Sequence, residues 1–325
     1  MKKITIIGGG AWGATLGQVL TDNNHEVLIY DINEKYIEYI NNQKHPIFDR
    51  PLLKLKATNN LKKAINFSDI FILCIPTQKI RKLLKKINNF LNKPKNFINV
   101  SKGIEIKSNK TIFQITQEEI EKEKIKNYAC LLGPSHAEEV ILRKITFLTI
   151  ASNNEKFSNQ IIEIFSNKKY LKIYTSKDIK GCEICGAFKN ALALISGLLE
   201  NENFDQNAKA AFITLGIQEM KNILLSLNCN PETAINLTGL GDLIVTSFNK
   251  NSRNYKAGRQ IILGQKLNEI FSNSKQVIEG IHNIQAFYQI SIKNNIKLPI
   301  IQNSYKIIFD KKPIHNIINY IFEFN

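Results

Sequence analysis

Arginine is scarce in this chain. Only five of its 44 basic residues are Arg (Arg50, Arg81, Arg143, Arg253 and Arg259), although the formal net charge is +16. Arg supplies the planar forks that read phosphates and guanine edges. The lysines are spread along the chain instead of forming one stripe, and Ile, Asn and Lys are abundant throughout, as in a general compositional bias. The charge therefore argues for a small anionic ligand and against nucleic acid. No apolar run approaches the roughly 20 residues of a membrane-spanning helix. Lys2-Lys3 before Ile4–Ile7 has the start of a signal peptide, but Gly8-Gly9-Gly10 ends the stretch too soon, so it reads as a strand. The expectation is a soluble, cytoplasmic protein.

Cysteine is also sparse. Cys74, Cys130, Cys182, Cys185 and Cys229 are an odd number over a long chain, which is not a disulfide framework. Cys182 and Cys185 form a C-x-x-C, but no second Cys or His pair completes a zinc site, so the pair reads as structural thiols on a helix and no metal is expected. Gly/Ser linkers, internal repeats and low-complexity tails are missing too.

What is present is enough for two packed domains. With 325 residues, 22% charged and 9% aromatic, the composition is ordinary globular. Up to about residue 176, short β-type runs alternate with helical segments: Lys3–Ile7, Glu26–Tyr30, Ile70–Ile75, Phe97–Val100, Ala129–Leu132, Thr146–Ala151 and Leu171–Tyr174. Several are continuous apolar runs, as in strands covered on both faces, and the alternation indicates an α/β fold with a doubly wound sheet. After Asp178, helical periodicities take over at Gly186–Leu199, Ala208–Leu227 and Asn283–Asn294, with a Pro231-Glu232 helix start. The expected division is 1–178, a dinucleotide-binding Rossmann-type domain, and 179–325, an all-helical substrate domain.

Ile4–Ile7 runs into Gly8-Gly9-Gly10-Ala11-Trp12-Gly13 and then a helical stretch from Ala14. This is G-x-G-x-x-G between a strand and a helix, the context that gives it meaning. Gly8 permits the turn, Gly10 admits a pyrophosphate, and Gly13 lets the helix pack on the strand. A second strand ends at Asp31, 23 residues after Gly8, where an acid accepts hydrogen bonds from ribose hydroxyls and repels a 2′-phosphate. The alternative is a Gly-rich turn in another α/β protein.

Ligands of open α/β sheets bind beyond the carboxyl ends of the strands. Ile75-Pro76-Thr77, Ser101-Lys102-Gly103 and Gly133-Pro134-Ser135-His136-Ala137 follow three such ends. Lys102 is either a group at the rim or one more solvated lysine, and His136 is either a catalyst or a helix-start residue. Lys189 lies in Gly186–Ile195, where nearly every neighbour is apolar. Burial lowers a lysine pKa, and a lysine so tuned exchanges a proton with a carbonyl or hydroxyl oxygen. It could instead snorkel or be held by a structural carboxylate. Asp242 stands on a Gly-rich turn before an apolar run, and Arg253 lies in the polar loop Asn249–Asn254, with donors that can hold a phosphate.

Six further motifs follow the fingerprint in order: Ser101-Lys102-Gly103, Gly133-Pro134-Ser135, Ala187-Phe188-Lys189-Asn190, Gly239-Leu240-Gly241-Asp242-Leu243, Ser252-Arg253-Asn254 and Val277-Ile278-Glu279-Gly280. Together they resemble the bacterial-type NAD(P)-dependent glycerol-3-phosphate dehydrogenases over nearly the whole chain. The resemblance implies reversible reduction of dihydroxyacetone phosphate to sn-glycerol 3-phosphate, for phospholipid synthesis; a homodimer is the expected assembly because homodimers are common among symmetric enzymes. It implies Lys189 as the acid/base group, with Lys102 and Asp242 completing the catalytic site. Substrate contacts would fall on Lys102, Gly133, Ser135, Lys189, Asp242, Ser252, Arg253 and Asn254. Cofactor contacts would fall on Ala11, Trp12, Lys102, Ala137, Arg253, Val277 and Glu279, beside Gly8, Gly10, Gly13 and Asp31 read from the fingerprint.

The chain departs from the family pattern at Asp31-Ile32, where a basic or neutral residue is common, and this favours NAD over NADP. It also lacks the glycines usual in the stretch Leu199–Gln206, and it reads Thr214-Leu215-Gly216 where an Arg is usual. Two other readings remain: a related two-domain hydroxyacid or ketoacid dehydrogenase, and a basic nucleotide-sensing or nucleic-acid-binding protein on the same fold. Ser252-Arg253-Asn254 argues against the former, and Lys189 with Asp242 against the latter.

Overall fold

The computed structural model describes residues 1–201, 204–250, 252–274 and 277–322. The chain forms two compact units, one of Met1–Ser101 with Ile112–Ile179, the other of Lys102–Thr111 with the chain from Lys180 onward. Nothing in the hydropathy pattern separates Lys102–Thr111 from its neighbours, yet this segment groups with the helical unit.

The first unit is built on eight strands: β1 (Lys3–Ile7), β2 (Glu26–Tyr30), β3 (Lys56–Thr58), β4 (Ile70–Leu73), β5 (Lys95–Asn99), β6 (Ile125–Leu132), β7 (Thr146–Ala151) and β8 (Leu171–Ser176). Their order is β3-β2-β1-β4-β5-β6-β7-β8. All neighbours are parallel except β6 and β7, which are antiparallel. The first six strands thus follow the 3-2-1-4-5-6 order, and the direction of winding reverses between β1 and β4. β4 and β5 are buried at every residue, β4 as its apolar run requires and β5 despite Lys95, Asn96 and Asn99, whereas β8, on the edge, alternates buried and exposed at its start. β3 escapes the sequence pattern because it has three residues, none of them buried, on the opposite edge. The helices of this unit include α1 (Ala11–Asp22), α2 (Glu34–Asn41), α3 (Leu61–Phe67), α4 (Thr77–Asn88), α5 (Ile112–Glu119), α6 (Ala137–Val140) and α7 (Glu155–Phe165).

β5 opens on a buried lysine. Lys95 is 2% exposed, and its ammonium donates to the Asp69 carboxylate at 2.8 Å and to the carbonyls of Ser68 and Ile65 at 2.5 and 3.2 Å. It thereby satisfies the C-terminal end of α3, where cations are favoured. Lys95 is thus a buried lysine with a structural role, although its flanking residues Lys93, Pro94 and Asn96 are not apolar.

The second unit is helical: α8 (Ile179–Leu198), α9 (Gln206–Ser226), α10 (Asp242–Ser247), α11 (Arg253–Ile262), α12 (Leu267–Asn273), α13 (Glu279–Lys293), α14 (Pro299–Asp310) and α15 (His315–Phe322), with short 3-10 and π turns between some of them. α8 starts seven residues before the apolar periodicity indicates, and Gly181 to Leu199 are all buried. A helix apolar on all sides belongs at the centre of a core. Phe188, Leu192, Phe212, Met220, Phe287 and Leu298 pack in that core. α11 crosses α8 at close range: a Cβ on Gly258 would lie 2.0 Å from the Leu194 carbonyl oxygen, and one on Gly197 would lie 2.0 Å from that of Tyr255.

One buried acid ties two helices of this core. Glu219 of α9 is 2% exposed and accepts from the main-chain N–H groups of Ile300 and Ile301 at 2.5 and 3.3 Å, capping α14 directly after Pro299. Burial pushes its carboxyl up to about 8, against the opposing pull of those two amides. A folded value above the unfolded one gives a contribution to stability that is complete below the unfolded value near 4.5 and lost as pH rises through about 8. Glu219→Ala should cost about 1–3 kcal/mol by orphaning two buried donors. In thermal melts, the stability of Glu219→Gln relative to the native chain should improve from pH 4.5 to 8 and level off above. A pH-independent difference would show that the acid does not titrate there.

Candidate active site

In the first unit the fingerprint is shaped by contacts that only glycine allows. Gly8 has φ +112°, and a Cβ there would lie 2.2 Å from the Cys74 carbonyl oxygen at the end of β4. A Cβ on Gly13 would lie 1.8 Å from the Gly8 carbonyl oxygen, so α1 sits directly on the turn. The helix begins at Ala11, three residues earlier than the sequence indicates, with Gly10 at its N-cap and no side chain capping it. Nothing lies within 4 Å of where a Gly10 Cβ would be. Bare backbone, open space and an uncapped N-terminus fit a dinucleotide pyrophosphate. Ala11 and Trp12 form the first turn beside it.

Asp31 directly follows β2 and braces this turn. Its Oδ2 accepts from the Gly9 N–H at 2.5 Å and its Oδ1 from the Asn33 N–H at 2.8 Å. Each oxygen has a second lone pair for a ribose hydroxyl. On another loop of the same unit, Gly133 follows β6 with φ +140°, the Ser135 hydroxyl donates to the Gly133 carbonyl at 3.0 Å, and Ala137 opens the short α6. His136 is the residue before that helix, and its carbonyl accepts from the Glu139 and Val140 N–H groups. It is a helix-start residue.

The second unit brings three of the assigned side chains into direct contact. Asp242 is 1% exposed. Its Oδ2 accepts from the Lys102 ammonium at 2.5 Å, and its Oδ1 lies 3.0 Å from that of Lys189. The sequence suggested a turn at Asp242, but it is the first residue of α10, where the preceding Leu237–Gly241 winds as a π turn. Lys189 also donates to the Thr246 hydroxyl at 2.8 Å, and that hydroxyl donates to the Asp242 carbonyl at 2.6 Å. Burial tends to raise the Asp242 carboxyl, but the charges of Lys102 and Lys189 outweigh it and hold it below the ordinary value. Lys189 is pulled the other way. Burial lowers it, Asp242 only partly offsets this, and the Lys102 charge lowers it again, to about 7. Two ammonium groups sharing one buried carboxylate leave an excess positive charge next to a proton that is easily given up.

Around this cluster stand the N-terminal ends of α11 and α13. The Ser252 hydroxyl caps α11 by accepting from the Tyr255 N–H at 3.5 Å, and Arg253 donates to the Val277 carbonyl at 3.1 Å. Glu279 opens α13. Asn254 donates to the Asn190 side-chain oxygen at 2.9 Å and accepts from the Gly280 N–H at 2.9 Å. Asn251 of the polar loop and Glu202 and Asn203 of the Leu199–Gln206 stretch lie outside the described residues. In Thr214-Leu215-Gly216, Leu215 follows the threonine, and Gly216 packs so close to Leu192 that a Cβ would lie 2.7 Å from its Cδ1.

Comparison with known proteins places the chain in a family. Residues 3–158 match the sequence model of the NAD-dependent glycerol-3-phosphate dehydrogenase N-terminus, and residues 178–319 match that of its C-terminus. The chain belongs to this dehydrogenase family. It is 52% identical to glycerol-3-phosphate dehydrogenase [NAD(P)+] of Phytoplasma mali, covering 98% of this chain and 96% of that protein. Identity to the Acholeplasma laidlawii protein of the same name is 46%, covering 97% of each. The crystal structure of glycerol-3-phosphate dehydrogenase from Coxiella burnetii superimposes with a TM-score of 0.91 at 26% identity, covering 99% of both chains.

For a member of this family, sequence reasoning missed Thr246, Asn190 and Asn283. Thr246 lies four residues after Asp242, the spacing that shares a helix face, and Asn190 is a lone polar neighbour of Lys189 in an apolar helix. Asn283 carried no such signal. Thr246→Val keeps the shape but removes the hydroxyl that accepts from Lys189. The loss of one hydrogen bond to a charged group should lower kcat about 10-fold. Steady-state assays should show this with the cofactor KM little changed; an unaltered kcat would mean that Lys189 is held without Thr246.

Proposed function

We propose that this chain reduces dihydroxyacetone phosphate reversibly to sn-glycerol 3-phosphate at the expense of NADH or NADPH, and so supplies the backbone for glycerophospholipids. The observation that carries this reading is the Lys102–Asp242–Lys189 cluster, in a chain whose relatives bear the name of that activity. The bound cofactor supplies the hydride to the carbonyl carbon. Lys189, as the ammonium, gives its proton to the C2 oxygen as negative charge develops there, and takes it back in the reverse reaction. Lys102 adds a second positive charge for the same oxygen, and Asp242 keeps both ammonium groups in place. Arg253 and the amides around it anchor the substrate phosphate, and Gly133, Ser135, Ser252 and Asn254 are the further substrate contacts. Binding energy from that remote group orients the carbonyl.

The glycine turn, Ala11, Trp12, Ala137, Arg253, Val277 and Glu279 serve the cofactor. A carboxylate at Asp31 repels a 2′-phosphate, which favours NAD. Residues 1–178 form the cofactor domain and 179–325 the substrate domain, with Lys102 contributed by the first span to the chemistry of the second. Among the described residues no helix is long and apolar enough to cross a membrane. We place the enzyme in the cytoplasm as a homodimer, acting on a small phosphorylated substrate and on no nucleic acid.

Dihydroxyacetone phosphate-dependent oxidation of NADH and NADPH, assayed in parallel, tests this directly. Turnover should be faster with NADH, and Lys189→Ala should abolish it with both. Cofactor binding without turnover would leave the fold standing and move the substrate to another hydroxy or keto compound. The pH dependence carries a sign. Reduction needs protonated Lys189 and should slow as pH rises through about 7, while oxidation needs the free amine and should quicken over the same range. Parallel profiles in the two directions would assign the proton to another group.

A further inference from the structure

Resting on the reading of Lys102 above, we propose that Asn283 is a positioning residue that places the Lys102 ammonium by holding its main chain. Lys102, Gly103 and Ile104 have no regular secondary structure. Neither helix nor sheet fixes their peptide groups, so side chains must do so. Asn283, in the second turn of α13, is 0% exposed. Its Nδ2 donates to the Lys102 carbonyl at 3.3 Å and to the Ala187 carbonyl at 3.0 Å, and its Oδ1 accepts from the Ile104 N–H at 3.1 Å. One amide therefore grips both sides of Gly103 and ties them to α8, two residues before Lys189.

A second amide acts on the same atom. Asn190 donates to the Lys102 carbonyl at 3.0 Å, and its own oxygen accepts from Asn254, which in turn accepts from the Gly280 N–H. Gly280 lies three residues before Asn283 on α13. A Cβ there would lie 2.6 Å from the Asn190 carbonyl oxygen, so the approach of α13 to α8 depends on that glycine. The Lys102 carbonyl is thus clamped by amides from two helices while its side chain crosses to Asp242. A lysine has four rotatable stem bonds, and its ammonium is reproducibly placed only when its backbone is. Asn283 touches neither ammonium nor carboxylate. Its effect on the reaction passes through Lys102.

A double-mutant cycle separates this from a general structural role. The kcat for dihydroxyacetone phosphate reduction is measured for the native chain, Asn283→Ala, Lys102→Ala and the double variant, with melting temperatures alongside. Asn283→Ala should lower kcat about 10-fold with cofactor KM within about twofold, and should add less than about twofold in the Lys102→Ala background. Asn283→Ser, which shortens the side chain but leaves a polar group in the cavity, is the second variant if Ala does not fold, and its loss of kcat should likewise shrink in the Lys102→Ala background. Equal losses in both backgrounds, or a Ser or Ala variant with native kcat, would overturn the proposal, and so would Asn283 variants that all fail to fold, since the role would then be structural. Native kcat in Lys102→Ala with Asn283 intact is a different failure. It would remove Lys102 from the chemistry and the inference with it.

Discussion

One buried carboxylate shared by two ammonium groups is the constraint on which the second unit is built. Asp242 is nearly inaccessible to water, and each of its oxygens faces a different lysine. A lone ion in such a place would be costly, and a single pair would merely neutralise itself. With two cations on one anion, the cluster keeps a net positive charge and a lysine proton that is loosely held. Those are the two properties that reduction of a carbonyl in a phosphorylated substrate requires.

Much of the surrounding architecture serves to make this arrangement reproducible. α8 is buried from Gly181 to its end and mostly apolar, and it carries Lys189 through the core. The glycines at 197, 258 and 280 let α11 and α13 come close enough for Asn254 and Asn283 to reach α8 and the Lys102 segment. Asn190, Asn254 and Asn283 pay the desolvation cost of their amides by bonding to one another or to main-chain groups. In the first unit the corresponding device is Asp31, whose carboxylate ties the glycine turn to the loop after β2.

Lys95 and Lys189 show where sequence reasoning stops. Both are buried lysines with a carboxylate partner. Lys95 adds two main-chain carbonyls at the end of α3 and is a structural cap. Lys189 adds a threonine hydroxyl and a carboxylate that it must share. Hydropathy reports burial around Lys189 but not around Lys95, whose neighbours Lys93, Pro94 and Asn96 are not apolar, and for both the number and kind of partners depend on other segments of the chain. Thr246 was within reach of a helical-spacing argument once Asp242 was known to start a helix. The π turn before it, which puts Asp242 there, has no signature in the residues alone.

What the sequence by itself determined was local or periodic: the alternation that makes a parallel sheet, the glycine fingerprint between β1 and α1, the acid at the end of β2, the all-apolar helix around Lys189, and an ordered set of motifs sufficient to recognise the family. These were legible because backbone sterics and helix or strand periodicity act over a few residues. Tertiary structure alone decided that β3 completes the sheet edge, that Lys102–Thr111 groups with the helical unit, and that Asn283 holds Lys102 from 181 positions away. The physical reason is the same in each case. A short edge strand, an irregular segment and a buried amide owe their conformation to hydrogen bonds with partners distant in sequence, and no local pattern records those partners.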